Sequence, residues 1–254
     1  MIEKWPVSYP ASTGAEDRNV YVYIPDCAEE EEDLRFPVLY MFDGHNVFFD
    51  EDATYGKCWG MKEYMDETET PMIIVAVECN AHPDNGRLRE YSPFNFSYKK
   101  MNIRGEGQAT MDWFTQVLKT MIDQRYPTLP DRLHTYIAGS SMGGLMSLYA
   151  VIKYNDVFSR AACLSPSLWT APWRVNDLVQ RAKLSPDTVI YMDYGSREMG
   201  NRKAMRKLFT TVTARLMDKK VWLTSRIVPN GDHCEACWEE QIPVFMHVLE
   251  YNRE

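Results

Sequence analysis

Short apolar runs recur along the chain and alternate with longer stretches of helical periodicity. Four of these runs span residues 36–42, 71–77, 159–165 and 188–193. Strands that are buried on both faces of a parallel sheet have this nearly continuous apolar character. The intervening stretches, such as 110–124, carry apolar residues at intervals of three and four. The alternation predicts an α/β fold, in which a mostly parallel central sheet has helices on both faces.

The remaining pattern predicts the sheet's outer strands and the connections. A loop that is polar, aromatic and irregular follows the 71–77 strand and extends to Lys100. Residues 166–184 form an excursion with some helix that is too short for a large lid, and the closing helix is expected to bend near Pro243. The further predicted strands are 5–9, 19–24, 133–138 and 221–228, and the further predicted helices are 61–67, 145–152, 203–216 and 235–251.

Composition narrows the class of protein. The chain has 254 residues, 45% of them hydrophobic, which suits a single domain over residues 1–254. Its formal net charge is -8 and it has no basic stripe, so we expect neither a nucleic-acid partner nor binding to a membrane. Because no signal peptide or bilayer-length apolar run is evident, the six cysteines are expected to be reduced thiols in a cytoplasmic protein.

A glycine-flanked serine lies where a predicted strand joins a predicted helix. The strand at 133–138 leads into Gly-Ser-Ser-Met-Gly at 139–143, and an apolar helical stretch follows. A G-x-S-x-G turn in this context is a nucleophile elbow, which presents its serine on a sharp, strained turn. The glycines on either side allow the strand and the helix to approach closely. The context therefore predicts Ser141 as a nucleophile.

Later loops carry the partners that a nucleophilic serine needs, namely a base that takes its proton and an acid that orients the base. His233 lies in a glycine-containing loop after the last predicted strand and is the predicted base. Glu198, in the loop after Gly195, and Asp193, at the end of its strand, compete for the role of the acid. We favour Glu198, because a loop position is better placed to meet a histidine on the next loop. The order Ser, acid, His is that of α/β-hydrolases.

Several motifs together resemble one family. They are G-S-S-M-G-G at 139–144, D-x-G-x-x-E at 193–198 and G-x-H-x-E-x-x-W at 231–238, with supporting segments at 40–48 and 89–93. This combination is similar to the putative-esterase family of α/β-hydrolases. The family includes enterochelin-esterase-like enzymes, S-formylglutathione hydrolase (esterase D), feruloyl and acetylxylan esterases, and mycolyltransferases. The similarity extends over nearly the whole chain and implies an α/β-hydrolase fold without a large lid.

The resemblance implies a mechanism of acyl transfer. Ser141 would attack an ester carbonyl while His233 removes its proton, and a water activated by His233 would then hydrolyse the acyl-serine. Glu198 stands at the position where the family commonly has its acid, often as Asp. Backbone N–H groups of Met142 and of Gly44 or His45 would hold the oxyanion.

Other residues near the predicted strand ends are candidates for substrate binding or for a metal. The segment from His233 to Cys237 has a C-x-x-C spacing but lacks the second half of a structural zinc site. We therefore expect no metal and no cofactor. The candidates for substrate binding are Asn46, Trp59, Trp169 and Trp173.

The expected activity is hydrolysis of a small acyl ester, with esters of carbohydrates among the candidate substrates. Two alternatives remain open at this point. An acyltransferase would use the same three residues with an alcohol in place of water, and a non-catalytic scaffold would use the fold for binding alone. The expected partner is a small-molecule ester, and a homo-oligomer is compatible with the sequence.

Overall fold

One eight-stranded sheet organises the molecule. The computed structural model describes residues 1–30, 33–198 and 202–251. The strands of the sheet are β1 (Ile2–Ala11), β2 (Gly14–Tyr23), β3 (Val38–Met41), β4 (Ile73–Val77), β7 (Thr135–Ser140), β8 (Arg160–Leu164), β9 (Val189–Gly195) and β10 (Trp222–Val228), and a separate hairpin pairs β5 (Phe96–Tyr98) with β6 (Met101–Ile103). The spatial order in the sheet is β1-β2-β4-β3-β7-β8-β9-β10.

The sheet is parallel from β4 to β10 in that order, and β1 and β2 add an antiparallel edge. Every residue of β3, β4, β7 and β8 is buried, whereas β1 and β10 at the two edges have many exposed positions. The continuous apolar runs of the sequence are therefore the central strands, as predicted.

Helices cover both faces of the sheet. Successive residues of a strand point to opposite faces, and Tyr40 and Met41 of β3 accordingly belong to two different apolar clusters. The helices of the described residues are α1 (Cys27–Glu30), α2 (Met61–Thr68), α3 (Gly86–Glu90), α4 (Gly107–Trp113), α5 (Lys119–Arg125), α6 (Met142–Lys153), α7 (Pro172–Arg181), α8 (Arg202–Met217), α9 (Glu235–Glu239) and α10 (Ile242–Glu250). The larger cluster includes residues of α4, α6, α7 and α8, and the smaller one includes residues of α2 and α10.

Three predicted elements differ in detail from the structure. The helix expected over 110–124 is α4 and α5 joined by a π-helical turn at Phe114–Leu118. The loop expected after β4 contains α3 and the β5–β6 hairpin. The closing helix is divided into α9 and α10, with Pro243 in the first turn of α10, where its missing N–H breaks no helical hydrogen bond.

The parallel strands bring the loops at their carboxyl ends to one edge of the sheet, where open α/β sheets place their sites. The connection after β8 contains only a short 3₁₀ turn at Leu168–Thr170 and α7, so no large lid covers this edge. The molecule has the α/β-hydrolase fold that the sequence predicted. No helix in the described part of the chain is long and apolar enough to cross a membrane.

Candidate active site

Ser141 occupies a strained turn between β7 and α6. Its backbone has φ 57° and ψ -117°, which is unfavourable for a residue with a side chain. The turn is held from both sides: the Ser141 N–H donates to the Leu164 carbonyl at 2.9 Å, and the Ser141 carbonyl accepts from the Ser167 N–H at 2.9 Å. Neighbouring β8 and the segment that follows it thus fix the serine at the edge of the sheet.

Three side chains from separate loops form a hydrogen-bonded chain. The Ser141 Oγ lies 2.9 Å from His233 Nε2, and the His233 Nδ1 lies 3.0 Å from Glu198 Oε2. The structure therefore brings together the predicted nucleophile, base and acid. Ser167, which the sequence analysis did not single out, places its hydroxyl oxygen 3.4 Å from the Ser141 Oγ.

Buried donors hold Glu198 in place. Its Oε1 accepts hydrogen bonds from the Gly195 N–H at 2.6 Å and from the Ser165 hydroxyl, while Oε2 faces the histidine. The Ser165 Oγ in turn accepts from Trp238 Nε1 at 3.0 Å. Ser165 is thus a member of the site that no sequence motif indicated, and Trp238 belongs to the G-x-H-x-E-x-x-W segment.

Asp193, the alternative acid, faces a different set of partners. Its Oδ1 accepts from the Ser165 N–H at 3.1 Å, and its Oδ2 accepts from the Tyr191 hydroxyl at 2.6 Å. Burial raises the pKa of Asp193 to about 6, and the nearby Glu198 carboxylate also raises it. The geometry therefore favours Glu198 over Asp193 as the partner of His233.

The loop after β3 faces the elbow. Met142 begins α6, and Gly44 and His45 lie in a 3₁₀ turn at 44–46. A Cβ on Gly44 would lie 2.7 Å from the backbone of Ala76 in β4, so only glycine fits at this position. Close packing against β4 thus fixes the turn that carries the Gly44 and His45 N–H groups, one of which the resemblance implies for oxyanion binding.

An ion pair anchors the start of this loop. Arg87 from α3 donates to both carboxylate oxygens of Asp43, at 2.6 and 2.8 Å. Asp43 is buried and has a left-handed backbone with φ 59°. Burial alone would raise its pKa, but the guanidinium outweighs that effect and holds the pKa of Asp43 below its usual value. The sequence placed Asp43 at a strand end but did not indicate its pairing with Arg87.

A cleft of about 900 Å³ opens above Ser141 and His233. Its walls are the loop after β3, residues 78–88 and the beginning of α9. Asn46 lines the cleft, as does His45, and the Asn46 Oδ1 accepts a hydrogen bond from the Thr54 N–H at 2.9 Å. Polar side chains alternate with apolar ones in this lining, and the polar groups can orient a ligand through hydrogen bonds.

The three tryptophans predicted to bind substrate lie outside this cleft. Trp59 is buried against Trp238 and Phe245 in the smaller apolar cluster. Trp169 packs on the β5–β6 hairpin, and Trp173 on α7 is 85% exposed. The prediction for these residues is corrected accordingly: large apolar rings near strand ends contribute to packing or surface here and do not line the cleft.

One group of potential metal ligands occurs among the described residues: Asp43, His45 and Cys79, whose ligand atoms lie within 4.8 Å of one another. Both oxygens of Asp43 already accept from Arg87, and burial and the nearby Asp43 raise the pKa of the Cys79 thiol well above its usual value. A charge-paired carboxylate and a protonated thiol are poor ligands, so we assign no metal to this group. In the C-x-x-C segment at 234–237, the Cys237 Sγ accepts a hydrogen bond from the Asp232 N–H at 3.1 Å.

Comparisons with known proteins show the family to which the chain belongs. The family model described as "Putative esterase" matches residues 11–247. YbbA, an uncharacterized protein of Bacillus subtilis strain 168, is 22% identical over 197 residues, which cover 76% of this chain and 74% of YbbA.

Solved structures share the fold. A ferulic acid esterase matches with a TM-score of 0.71 and 16% identity, and the match covers 98% of each chain. An IroE-like serine hydrolase from Shewanella oneidensis matches with a TM-score of 0.76 and 17% identity, over 98% of this chain and 80% of that one. At these identities the likeness concerns the fold.

Proposed function

The chain belongs to the putative-esterase family and is a carboxylic ester hydrolase; from this premise we propose that it is a serine esterase that works through an acyl-enzyme. The observation that carries the proposal is the hydrogen-bonded chain from Ser141 through His233 to Glu198. A serine, a base and an acid in this arrangement are the parts that nucleophilic acyl transfer requires.

In the first half of the reaction, the Ser141 Oγ attacks the ester carbonyl carbon as its proton passes to His233 Nε2. Glu198 accepts a hydrogen bond from Nδ1, which fixes the ring and stabilises the imidazolium that forms. The tetrahedral intermediate collapses when His233 gives the proton to the leaving alcohol oxygen. The alcohol departs, and the acyl group remains on Ser141.

The negative charge that develops on the carbonyl oxygen is held by backbone donors. We assign this role to the N–H of Met142, at the start of α6, and to that of Gly44 or His45 across the cleft. Fixed donors of this kind each contribute about 10²–10³-fold to the rate. The Arg87–Asp43 pair and the packing of Gly44 on β4 keep this second donor in position.

In the second half of the reaction, His233 activates a water that hydrolyses the acyl-serine. The cleft is open along the elbow, which gives water access to the acyl-enzyme. An alcohol acceptor in place of water would make the protein an acyltransferase. Adding a primary alcohol to the assay separates the two, because a transferase yields mainly the new ester and a hydrolase yields mainly the free acid.

The substrate that fits this cleft is a small acyl ester of a hydroxylated alcohol, such as a carbohydrate. The lining includes amide and hydroxyl groups, among them those of Asn46, Thr54, Asn80 and Asn85. Such groups bind hydroxyls well and gain little from a long aliphatic chain.

We also place the reaction in the cytoplasm. All six cysteines are free, including Cys234 and Cys237, which lie close to each other at the start of α9. Free thiols, and an unbridged pair in particular, are typical of proteins kept in a reducing compartment.

The first test is the hydrolysis of p-nitrophenyl acetate and butyrate by the wild type and by Ser141→Ala. We expect the substitution to lower kcat by at least about 10⁴-fold, because the nucleophile is lost. Ser147→Ala is the matched control, since this buried serine on α6 donates to the Gly143 carbonyl and lies outside the cleft. Equal rates for the wild type and Ser141→Ala, with no labelling of Ser141 by a fluorophosphonate, would overturn the proposal.

A further inference from the structure

Glu235 is a buried carboxylate that opens onto the cleft and has no partner among the described residues. It is 8% exposed and lines the cavity beside His233. No hydrogen bond or ion pair to its carboxylate occurs among the residues that the structure describes. The proposed mechanism gives it no task.

The other carboxylates of the cleft have donors. Asp43 accepts from Arg87 through both oxygens. Glu78 accepts from the backbone and side chain of Asn19 and from the hydroxyl of Tyr21. The lack of a hydrogen-bond donor is therefore specific to Glu235, because the other two carboxylates in the same cavity have donors.

A buried carboxylate that lacks a donor costs free energy, since it has lost most of its water and gained no protein hydrogen bond in exchange. The small exposed part of Glu235 faces the cavity, so a donor can reach it only from there. The group that donates a hydrogen bond to this carboxylate is therefore a water in the cavity or, when a ligand displaces that water, a group of the ligand.

The position of Glu235 indicates which part of the substrate it meets. It lies two residues after His233, which delivers a proton to the leaving alcohol, and both residues line the same cleft. We propose that Glu235 determines specificity by accepting a hydrogen bond from a hydroxyl group on the alcohol part of the ester. This inference rests on the serine-esterase function proposed above and assigns to one residue the selection of esters of diols and polyols, including sugars.

A hydroxyl suits this position better than a cation does. The neutral amides of Asn46 and Asn80 line the same cleft and can bind further hydroxyls. The ring of Trp238 stands edge-on to His233 at a centroid distance of 5.0 Å, so it is already engaged. A quaternary ammonium group is held by a cage of several aromatic faces, and beside Trp238 the described residues of the lining contribute the single exposed ring of Tyr55.

The test compares esters that differ by one group. Propyl acetate and 2-hydroxyethyl acetate are nearly isosteric, with a methyl group in place of the hydroxyl, and 2-methoxyethyl acetate keeps the oxygen without the donor. We expect the wild type to favour the hydroxyethyl ester over the propyl ester by about 10- to 100-fold in kcat/KM, the range for a hydrogen bond to a charged group. The methoxyethyl ester should behave like the propyl ester.

Variants assign this preference to Glu235. Glu235→Leu keeps the volume and removes the acceptor, so the preference should fall to about onefold; Glu235→Gln keeps a neutral acceptor and should give an intermediate value. Glu240→Gln removes an exposed carboxylate just after α9 and should leave the preference at the wild-type value. Because each preference is a ratio within one variant, a general loss of activity does not imitate the effect.

Three outcomes would overturn the inference. They are a wild type without a preference, a preference that survives in both Glu235 variants, and a wild type that favours acetylcholine over the hydroxyethyl ester through Glu235. In each case the serine-esterase function stands if Ser141→Ala still abolishes hydrolysis of all these esters. If Ser141→Ala leaves that hydrolysis intact, the proposed function itself fails.

Discussion

At the scale of single residues, two buried carboxylates lie beside the proposed base and differ in the atoms that they face. One carboxylate oxygen of Glu198 faces the His233 Nδ1. Both oxygens of Asp193 instead accept hydrogen bonds, one from the Tyr191 hydroxyl and one from the Ser165 N–H. A catalytic acid must hold the imidazole in one tautomer and orientation. Both candidates are carboxylates, so what distinguishes them is the direction in which each side chain points.

This difference predicts opposite results for two isosteric substitutions. Glu198→Gln should lower kcat/KM for p-nitrophenyl acetate by about 10³–10⁴-fold, because an amide can hold His233 in the wrong tautomer. Asp193→Asn should stay within about tenfold of the wild type. Circular dichroism of both variants would confirm that they are folded. The assignment is wrong if Asp193→Asn collapses while Glu198→Gln remains active.

Asp193 also predicts a dependence of stability on pH. Its pKa is about 6 in the folded protein, above the usual 3.8, because burial disfavours its charged form. The folded state therefore keeps a proton that the unfolded state has released, and the free energy of unfolding falls as the pH rises from about 4 to about 6. Relative to Asp193→Asn, the wild type should lose on the order of 3 kcal/mol over this interval.

Urea unfolding of the wild type and Asp193→Asn at several pH values measures that difference. The two curves should diverge between pH 4 and 6 and run parallel above pH 7. A difference that stays constant across the whole range would contradict the raised pKa.

Local sequence predicted some residues of the site and left others undetected, for a physical reason. Ser141 could be predicted because the strain of an elbow demands small flanking residues, which leaves a pattern within five positions. Ser165 and Arg87 contact the site only through tertiary packing, Ser165 with Glu198 and Arg87 with Asp43. Such pairs are far apart along the chain, and no local periodicity marks them.

At the scale of elements, the proposed chemistry depends on how closely β7 and α6 approach each other. A Cβ on Gly139 would lie 2.8 Å from the carbonyl carbon of Gly143, closer than such atoms normally come. The contacting atoms of Gly143 belong to the backbone, so they cannot move aside without shifting the elbow that holds Ser141.

We therefore expect Gly139→Ala to lower the free energy of unfolding by about 2 kcal/mol and the Tm by roughly 4–8 °C. Its kcat/KM should fall by at least about tenfold, because a small displacement of the nucleophile is costly. Gly56→Ala is a useful comparison: a Cβ there meets nothing within 4 Å, although its φ of 69° is strained. Thermal unfolding measures the effect on stability, and ester hydrolysis measures the effect on activity. Wild-type values of both for Gly139→Ala would show that β7 and α6 do not pack as closely as described.

The elements that the sequence predicted well are those buried on both faces. β3, β4 and β8 are continuous apolar runs because nothing polar can be tolerated on either side. The short α3 and the β5–β6 hairpin were missed, since a few residues at the surface carry no complete hydrophobic period. The tryptophans were misplaced for a related reason: position near a strand end does not determine the side to which a ring turns.

At the scale of the whole molecule, the distribution of charge should control which esters approach the cleft. The chain has a formal net charge of -8. Within the cleft, Glu78 and Glu235 are acidic, and the charge of Arg87 is paired with that of Asp43. An anionic substrate is therefore repelled both at long range and near the site, whereas a neutral ester is not.

This predicts a dependence on salt that differs between substrates. Added salt screens charges over about 10 Å at 0.1 M and about 3 Å at 1 M. Raising NaCl from about 0.01 to 0.5 M should increase kcat/KM for 4-acetoxybenzenesulfonate a few-fold and change that for phenyl acetate little, because only the sulfonate is charged. Initial rates at low substrate concentration give kcat/KM directly. A kcat/KM for the sulfonate ester that falls as NaCl is raised would contradict the prediction. It would mean that an unpaired cation near Ser141 attracts the sulfonate, contrary to the pairing of Arg87 with Asp43.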